Sequence, residues 1–383
     1  MTVPSGPPAA DPTPLQRWRL RWHFERHRLR PGGLLLRGHH HHNYVVELRE
    51  PLASILREPE GRLGKFRTRR RTVQVVPRVW QEGDVLRALR PHLACVPRVL
   101  FTVPGRALHT YVEGTALSET APPGSPVDDA TLRRIAGLFG QLTAVPVRAL
   151  PGLPDEWRGE NLSDSTGFLR NLASFTQHEV YLRNHPRFGR LFHELGIPDD
   201  AMGRFYREAK RLRPRAYSLL HTDIHRGNLL RRRDGELALV DWECALLGDP
   251  LHDLATHVVR MEYTEEERGR LIGHWRRRMR RSGRPDLLDG TADDFRLYLD
   301  FEYAQSVFPD TMRAARALPR AASESDFDIA AASVHRALRR ARTSLDLTLP
   351  EHGAVKSALR SWHREQRALT GRVQAVRRGS RGR

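Results

Sequence analysis

From His221 to Val258 the chain reads HTDIHRGNLLRRRDGELALVDWECALLGDPLHDLATHV, and this stretch constrains the fold more tightly than any other. Asp223 and Asn228 stand five positions apart on a short loop, and a hairpin follows whose second strand is the apolar run Leu237, Ala238, Leu239, Val240. The turn of that hairpin, Arg232, Arg233, Asp234, Gly235, carries an Asp-Gly pair, the strongest short-range hairpin signal. Asp241 comes directly after the second strand. Gly248, Asp249 and Pro250 then read as a turn that starts an apolar helix, with Asp249 as its cap.

Such a loop followed by an aspartate suits phosphoryl transfer. That reaction asks little covalent chemistry of a protein: it needs a carboxylate to orient the attacking hydroxyl and oxygen ligands to fix magnesium. By residue type, Asp223 fills the first role, and Asn228 with Asp241 the second. Magnesium prefers hard oxygen ligands and borrows several from nucleotide phosphates, so two protein ligands suffice.

The stretch resembles the Brenner motif and the following metal motif of the aminoglycoside phosphotransferase and choline kinase family, relatives of the protein kinases. The matching residues are His221, Asp223, His225, Asn228, Asp241, Trp242, Glu243, Gly248, Asp249, Pro250, Asp253, Leu254 and Ala255. Thr222 stands where the family has glycine, a departure that bears on the local backbone. The resemblance implies an α+β, bilobal protein-kinase-like fold, with a small antiparallel β lobe and a larger, mostly helical lobe. It implies ATP or GTP and Mg2+ as cofactors, with Asp223 and Asn228 catalytic and Asn228 and Asp241 on the metal. It also implies that His221 braces the loop and that Asp249 and Asp253 support it.

For the nucleotide, the resemblance points to Lys65, 17 residues before Glu82, as the phosphate-holding lysine and its helix partner. Arg67, on the same strand face by alternation, and Arg78 are alternatives. Tyr111, Val112, Glu113 and Gly114 resemble the interlobe hinge whose backbone binds the base. The segment from Arg37 to Asn43 sits where the family has a glycine-rich turn, yet carries four histidines, His39 to His42, a poor match for close backbone approach to phosphate.

Along the chain four regions follow: 1–32, a proline-rich arm and a basic helix with Trp18 and Trp22; 33–114, the small nucleotide-binding lobe; 115–350, the catalytic and substrate lobe; and 351–383, a basic helical tail. In the small lobe the runs GGLLLRG, NYVVEL, RLGKFRTR and TVQVVPRVW all look strand-like. The formal net charge is +19, carried almost wholly by arginine, the lysines being Lys65, Lys210 and Lys356 alone. That skew looks like codon usage and weakens a nucleic-acid reading. Two cysteines, Cys95 and Cys244, exclude a disulfide framework, and without an apolar span or secretory leader a cytoplasmic location is expected.

Only seven residues separate Asp241 from Asp249, too few for a long activation segment, which favours a small hydroxyl-bearing acceptor over a protein. Glu265, Glu266, Glu267, Asp286, Asp289, Asp293, Asp294, Asp300 and Glu302 form a local acidic series that would suit a cationic acceptor if its carboxylates converged. A peptide or protein Ser/Thr kinase of the same fold, and a kinase-like scaffold without catalysis, are the alternative readings.

Overall fold

The computed structural model describes residues 13, 18–19, 22, 34–37, 41–69 and 73–379. Most of the expected N-terminal arm and basic helix lies outside them, as do Gly38, His39 and His40 of the histidine segment. The described chain divides into two compact units, one holding the residues up to Arg69 together with Ala94–Glu113, the other Val73–Leu93 and Gly114 onward.

The smaller unit is an antiparallel sheet built from β1 (Leu34–Arg37), β2 (His41–Glu47), β3 (Leu63–Arg69), β4 (Val99–Val103) and β5 (Arg106–Thr110), in the order β1-β2-β3-β5-β4. A short helix, α1 (Leu52–Leu56), joins β2 to β3. Alternation sends Phe66 and Leu108 to one face, where they bury against Leu48, Leu52, Ala53 and Phe101. Lys65 therefore takes the opposite face, in register with Val45 and His109, beside the Asn43–Arg67–Ala107 row. His41 and His42 are strand residues of β2 rather than part of a phosphate-facing turn.

From Val73 onward the run TVQVVPRVW forms no strand. Pro77 has no N–H to give a ladder, and the side chains find partners in the larger unit: Val75, Val76 and Pro77 line a cavity there, and Trp80 Nε1 donates to the Gly152 carbonyl at 3.0 Å. Helix α2 (Glu82–Leu89), with Glu82 in its first turn, belongs to this unit too.

In the larger unit β6 (Thr115–Ala116), β8 (Leu229–Arg231) and β9 (Leu237–Leu239) form one small sheet, and β7 (Ser218–Leu220) pairs with β10 (Leu246–Gly248) in another. Gly114 precedes β6 because only hydrogen fits there: a Cβ would stand 2.9 Å from the Arg231 carbonyl oxygen. The helices are α3 (Leu117–Thr120), α4 (Asp129–Ala144), α5 (Ser165–Phe175), α6 (Arg183–Glu194), α7 (Gly203–Glu208), α8 (Pro250–Met261), α9 (Glu265–Arg281), α10 (Thr291–Ala317), α11 (Glu324–Leu345) and α12 (His352–Gly379). A π-helical turn, Thr176–Leu182, links α5 to α6. The expected C-terminal tail is helix α12, and its first half packs into the unit: Val355, Leu359 and Trp362 are buried, and Trp362 stacks on Phe188 with ring centroids 5.2 Å apart.

A buried cation ties these helices to the strands. Arg215, just before β7, donates to Asp249 Oδ2 and to Asp294 Oδ2, each at 2.8 Å, and to the carbonyls of Leu287 and Asp289. Asp249 caps α8 through the Leu251 N–H at 2.9 Å and also accepts from the Tyr298 hydroxyl at 3.1 Å. Removing one member of a buried, hydrogen-bonded ion cluster strands the others without compensation. Arg215→Leu is therefore expected to lower unfolding free energy by about 3–5 kcal/mol in urea titration; a loss below about 1 kcal/mol would show that Asp249 and Asp294 are satisfied without it.

Candidate functional site

The loop that carries Asp223 and Asn228 begins where β7 ends, and the first turn of α8 holds it. Asp253 accepts the backbone N–H of His221 on Oδ2 at 2.9 Å and that of Thr222 on Oδ1 at 2.8 Å. With both carboxylate oxygens so engaged, the chain reverses sharply, and Thr222 takes the left-handed conformation at φ 58°. A β-branched residue pays about 1–2 kcal/mol for that backbone. The Thr222 hydroxyl, donating to the Cys244 carbonyl at 2.7 Å, offsets part of the cost. This explains how threonine stands where the family's glycine would adopt the same conformation freely.

His221 braces the turn. Its Nδ1 accepts the Asp223 N–H at 3.3 Å, so its proton sits on Nε2, which faces the Val240 carbonyl at 3.2 Å. Burial pushes this imidazole down to about 4, which keeps it neutral. His257 works from α8 in the opposite tautomer: Nδ1–H donates to the Ile224 carbonyl at 2.9 Å, and Nε2 accepts the Tyr263 hydroxyl at 3.0 Å. Arg226 clamps the far end of the loop, reaching the Ala121 carbonyl at 2.7 Å and, through Nε and Nη2, the Met261 carbonyl at the end of α8.

These contacts deliver Asp223 and Asn228 to each other. Asn228 Nδ2 donates to the Asp223 carbonyl and to its Oδ2, both at 3.0 Å. The amide group is thereby oriented, with Oδ1 left as its acceptor for a hard cation. The Asp223 Oδ1 atom is ion-paired with Arg260, while His225 Nε2 stands 3.7 Å from it, beyond hydrogen bonding. The Asp-Gly turn closes as expected: Gly235 has φ 80°, and Arg232 N donates to the Glu236 carbonyl at 2.9 Å. Val240 N then bonds the Asn228 carbonyl at 3.1 Å, which delivers Asp241 beside the loop. Asp241 is itself left-handed, at φ 70° and ψ 67°. An amide oxygen and a carboxylate are a donor set that fits magnesium with nucleotide phosphates completing the shell.

The residues expected on the nucleotide side divide between the two units. Lys65, with Tyr111, Val112 and Glu113, belongs to the smaller unit, and Glu82 and Gly114 to the larger. Arg78, one alternative for the donor phosphates, pairs with Glu243 at 3.2 Å. The acidic series does not converge. Glu267 completes the capping box of α9, Asp294 pairs with Arg215, Asp300 accepts from Ser344, Asp286 pairs with Arg284, and Glu302 is buried. Sequence reading missed Arg215, His257 and Arg260. A signal existed for two of them, since Asp253, His257 and Arg260 recur at i, i+4 and i+7, one face of α8.

Two measurements bear on this site. His221 and His257 are depressed to about 4 and His252 to about 3, all by burial, so each stabilises the fold above its ordinary value near 6.5 and loses that contribution as the pH falls through its folded value. Burial raises Asp253 to about 6 and Glu302 to about 7, which works in the opposite sense, but the three imidazole shifts are together the larger. The melting temperature should fall between pH 6.5 and pH 4, and a flat or rising profile would contradict neutral buried histidines. At Thr222, the Val variant keeps the strain and loses the hydroxyl bond, so it should cost about 1–2 kcal/mol. Thr222→Gly exchanges strain for that bond and should change stability by less than about 1 kcal/mol, both read by denaturant titration.

Residues 37–286 match the Phosphotransferase enzyme family. A thiamine kinase from Shigella boydii serotype 4 (strain Sb227) is 37% identical over 103 residues, which span 23% of this chain and 36% of that protein, so only about a third of its length is matched. An ethanolamine kinase structure from Plasmodium vivax superposes with a TM-score of 0.56 at 13% identity, covering 84% of this chain and 85% of that one. A macrolide 2'-phosphotransferase type I gives a TM-score of 0.49 at 18% identity over 84% of this chain and 97% of that one. The fold is of the α+β, bilobal protein-kinase-like class. Among the described residues no helix is long and apolar enough to cross a membrane.

Proposed function

The chain belongs to the Phosphotransferase enzyme family, and from that membership we propose an ATP- and magnesium-dependent O-phosphotransferase that acts on a hydroxyl of a small molecule. The observation that carries this reading is the double hydrogen bond from Asn228 to Asp223, which fixes an acidic side chain beside an amide oxygen suited to a metal.

In the mechanism, Asp223 accepts the hydrogen bond of the acceptor hydroxyl and orients its oxygen toward the γ-phosphorus; as the new O–P bond forms, the bond from that phosphorus to the β,γ-bridging oxygen breaks, ADP leaves, and Asp223 takes the hydroxyl proton. Asn228 and Asp241 would hold magnesium, which when bound would supply positive charge against the charge developing on the phosphoryl oxygens. Following the resemblance, Lys65 is assigned to the donor phosphates, Glu82 to holding that lysine, and the backbone of Tyr111–Gly114 to the base. The region 33–114 would then serve the nucleotide and 115–350 the acceptor.

A small acceptor is favoured over a peptide by the run that follows Asp241. Residues 242–250 are buried throughout, with β10 paired to β7, so this run presents no exposed segment on which a peptide would dock. The dispersal of the acidic series leaves a cationic acceptor without a convergent carboxylate patch to support it.

Asp223→Asn should lower kcat by about 10²–10⁴-fold with nucleotide affinity preserved. Asp241→Asn should abolish the magnesium-dependent part of ATP binding in calorimetry. A folded Asp223→Asn protein with wild-type turnover would remove Asp223 from its role, and wild-type protein that binds neither ATP nor GTP would favour the scaffold reading.

A further inference from the structure

One face of α8 meets the catalytic loop in order. Asp253 takes the N–H groups of His221 and Thr222, His257 reaches the carbonyl of Ile224, and Arg260, one turn further on, meets the side chain of Asp223. The first two contacts fix backbone; the third touches the Asp223 carboxylate itself. That carboxylate is held by Asn228 on Oδ2 and by the guanidinium on Oδ1, so neither oxygen is left to rotate. Arg260 is itself constrained. It lines a cavity of about 20 Å³ with Thr222, Thr256, His252, Glu302 and Gln305, and in spite of burial the Asp223 carboxylate beside it raises the half-buried guanidinium above its ordinary value.

We propose that Arg260 is a positioning residue for phosphoryl transfer, fixing the Asp223 carboxylate in the rotamer that presents it to the acceptor hydroxyl. This rests on the phosphotransferase reading of the site. The contact Arg260 makes at this site is with the Asp223 carboxylate, and the proposed effect is exerted through it. Loss of the guanidinium frees one carboxylate oxygen and lets the group swing, and a misplacement of about 1 Å is enough to cost 10²-fold in rate.

The test compares wild type, Arg260→Ala, Arg260→Gln and Arg260→Lys by ADP release from MgATP. It uses a panel of amino alcohols, sugars and aminoglycosides as acceptors, with water as the acceptor of last resort, and calorimetry for nucleotide affinity. The expected result is a kcat about 10²-fold lower in the Ala and Gln variants, with the KM for nucleotide within about twofold of wild type. Lysine should recover part of the loss. Millimolar guanidinium ion, well below denaturing concentrations, should raise the turnover of Arg260→Ala and leave wild type and Asp223→Ala unchanged.

A kcat for Arg260→Gln within about threefold of wild type overturns the proposal and leaves the phosphotransferase reading standing. A loss that neither lysine nor guanidinium restores also overturns it, as does one accompanied by an equal loss of nucleotide affinity. Should Arg260→Ala fail to fold, Arg260→Gln, closer to arginine in volume, carries the comparison. A folded wild type that releases no ADP and binds no nucleotide overturns the underlying reading instead, and this proposal with it.

Discussion

Two N–H groups pointing at one carboxylate hold the centre of this molecule together. Asp253, buried in the first turn of α8, binds the backbone of His221 and Thr222, and the loop geometry follows from that grip. The same contact forces Thr222 into the left-handed region, aims His221 at the Val240 carbonyl, and turns Asp223 toward Asn228. Burial raises the Asp253 carboxyl to about 6, so desolvation works against its ionised form. The two N–H donors answer that penalty, as buried polar groups require.

The surrounding charges obey the same rule. Arg215 meets two carboxylates and two carbonyls, and Arg226 meets the carbonyls that end α8 and precede the Asp129–Ala144 helix. Buried cations of this kind add little net stability compared with apolar side chains of the same size, but each fixes one arrangement, because any other leaves an ion unpaired. The +19 formal charge is therefore not only a surface property. Part of it is spent inside the larger unit, where arginine's fork of donors reaches several carbonyls at once.

The parts legible in the sequence were those governed by neighbours along the chain. The Asp-Gly hairpin, the Asp249 cap and the Asp223–Asn228 loop are local turn chemistry, and the structure forms each of them. TVQVVPRVW looked like a strand because its valines favour one, yet burial against the larger unit and Pro77 decided otherwise. The acidic series looked like a patch in one dimension and is scattered among caps and ion pairs in three. Helical spacing puts Arg260 on one face with Asp253 and His257, but its partner, Asp223, stands 37 positions away and is not legible from that spacing. The nucleotide-side residues Lys65, Glu82 and Tyr111–Gly114 rest on resemblance, because their roles need a bound donor to be expressed.

The short buried passage from Trp242 to Pro250 has a regulatory consequence. It contains no serine, threonine or tyrosine, and its strand is paired along its length. Where protein kinases keep a covalent on-off switch in this position, this chain has a strand of its own fold. On the phosphotransferase reading, the loop of Asp223 and Asn228 is held by contacts within the larger unit, and this passage offers no hydroxyl whose modification could rearrange it.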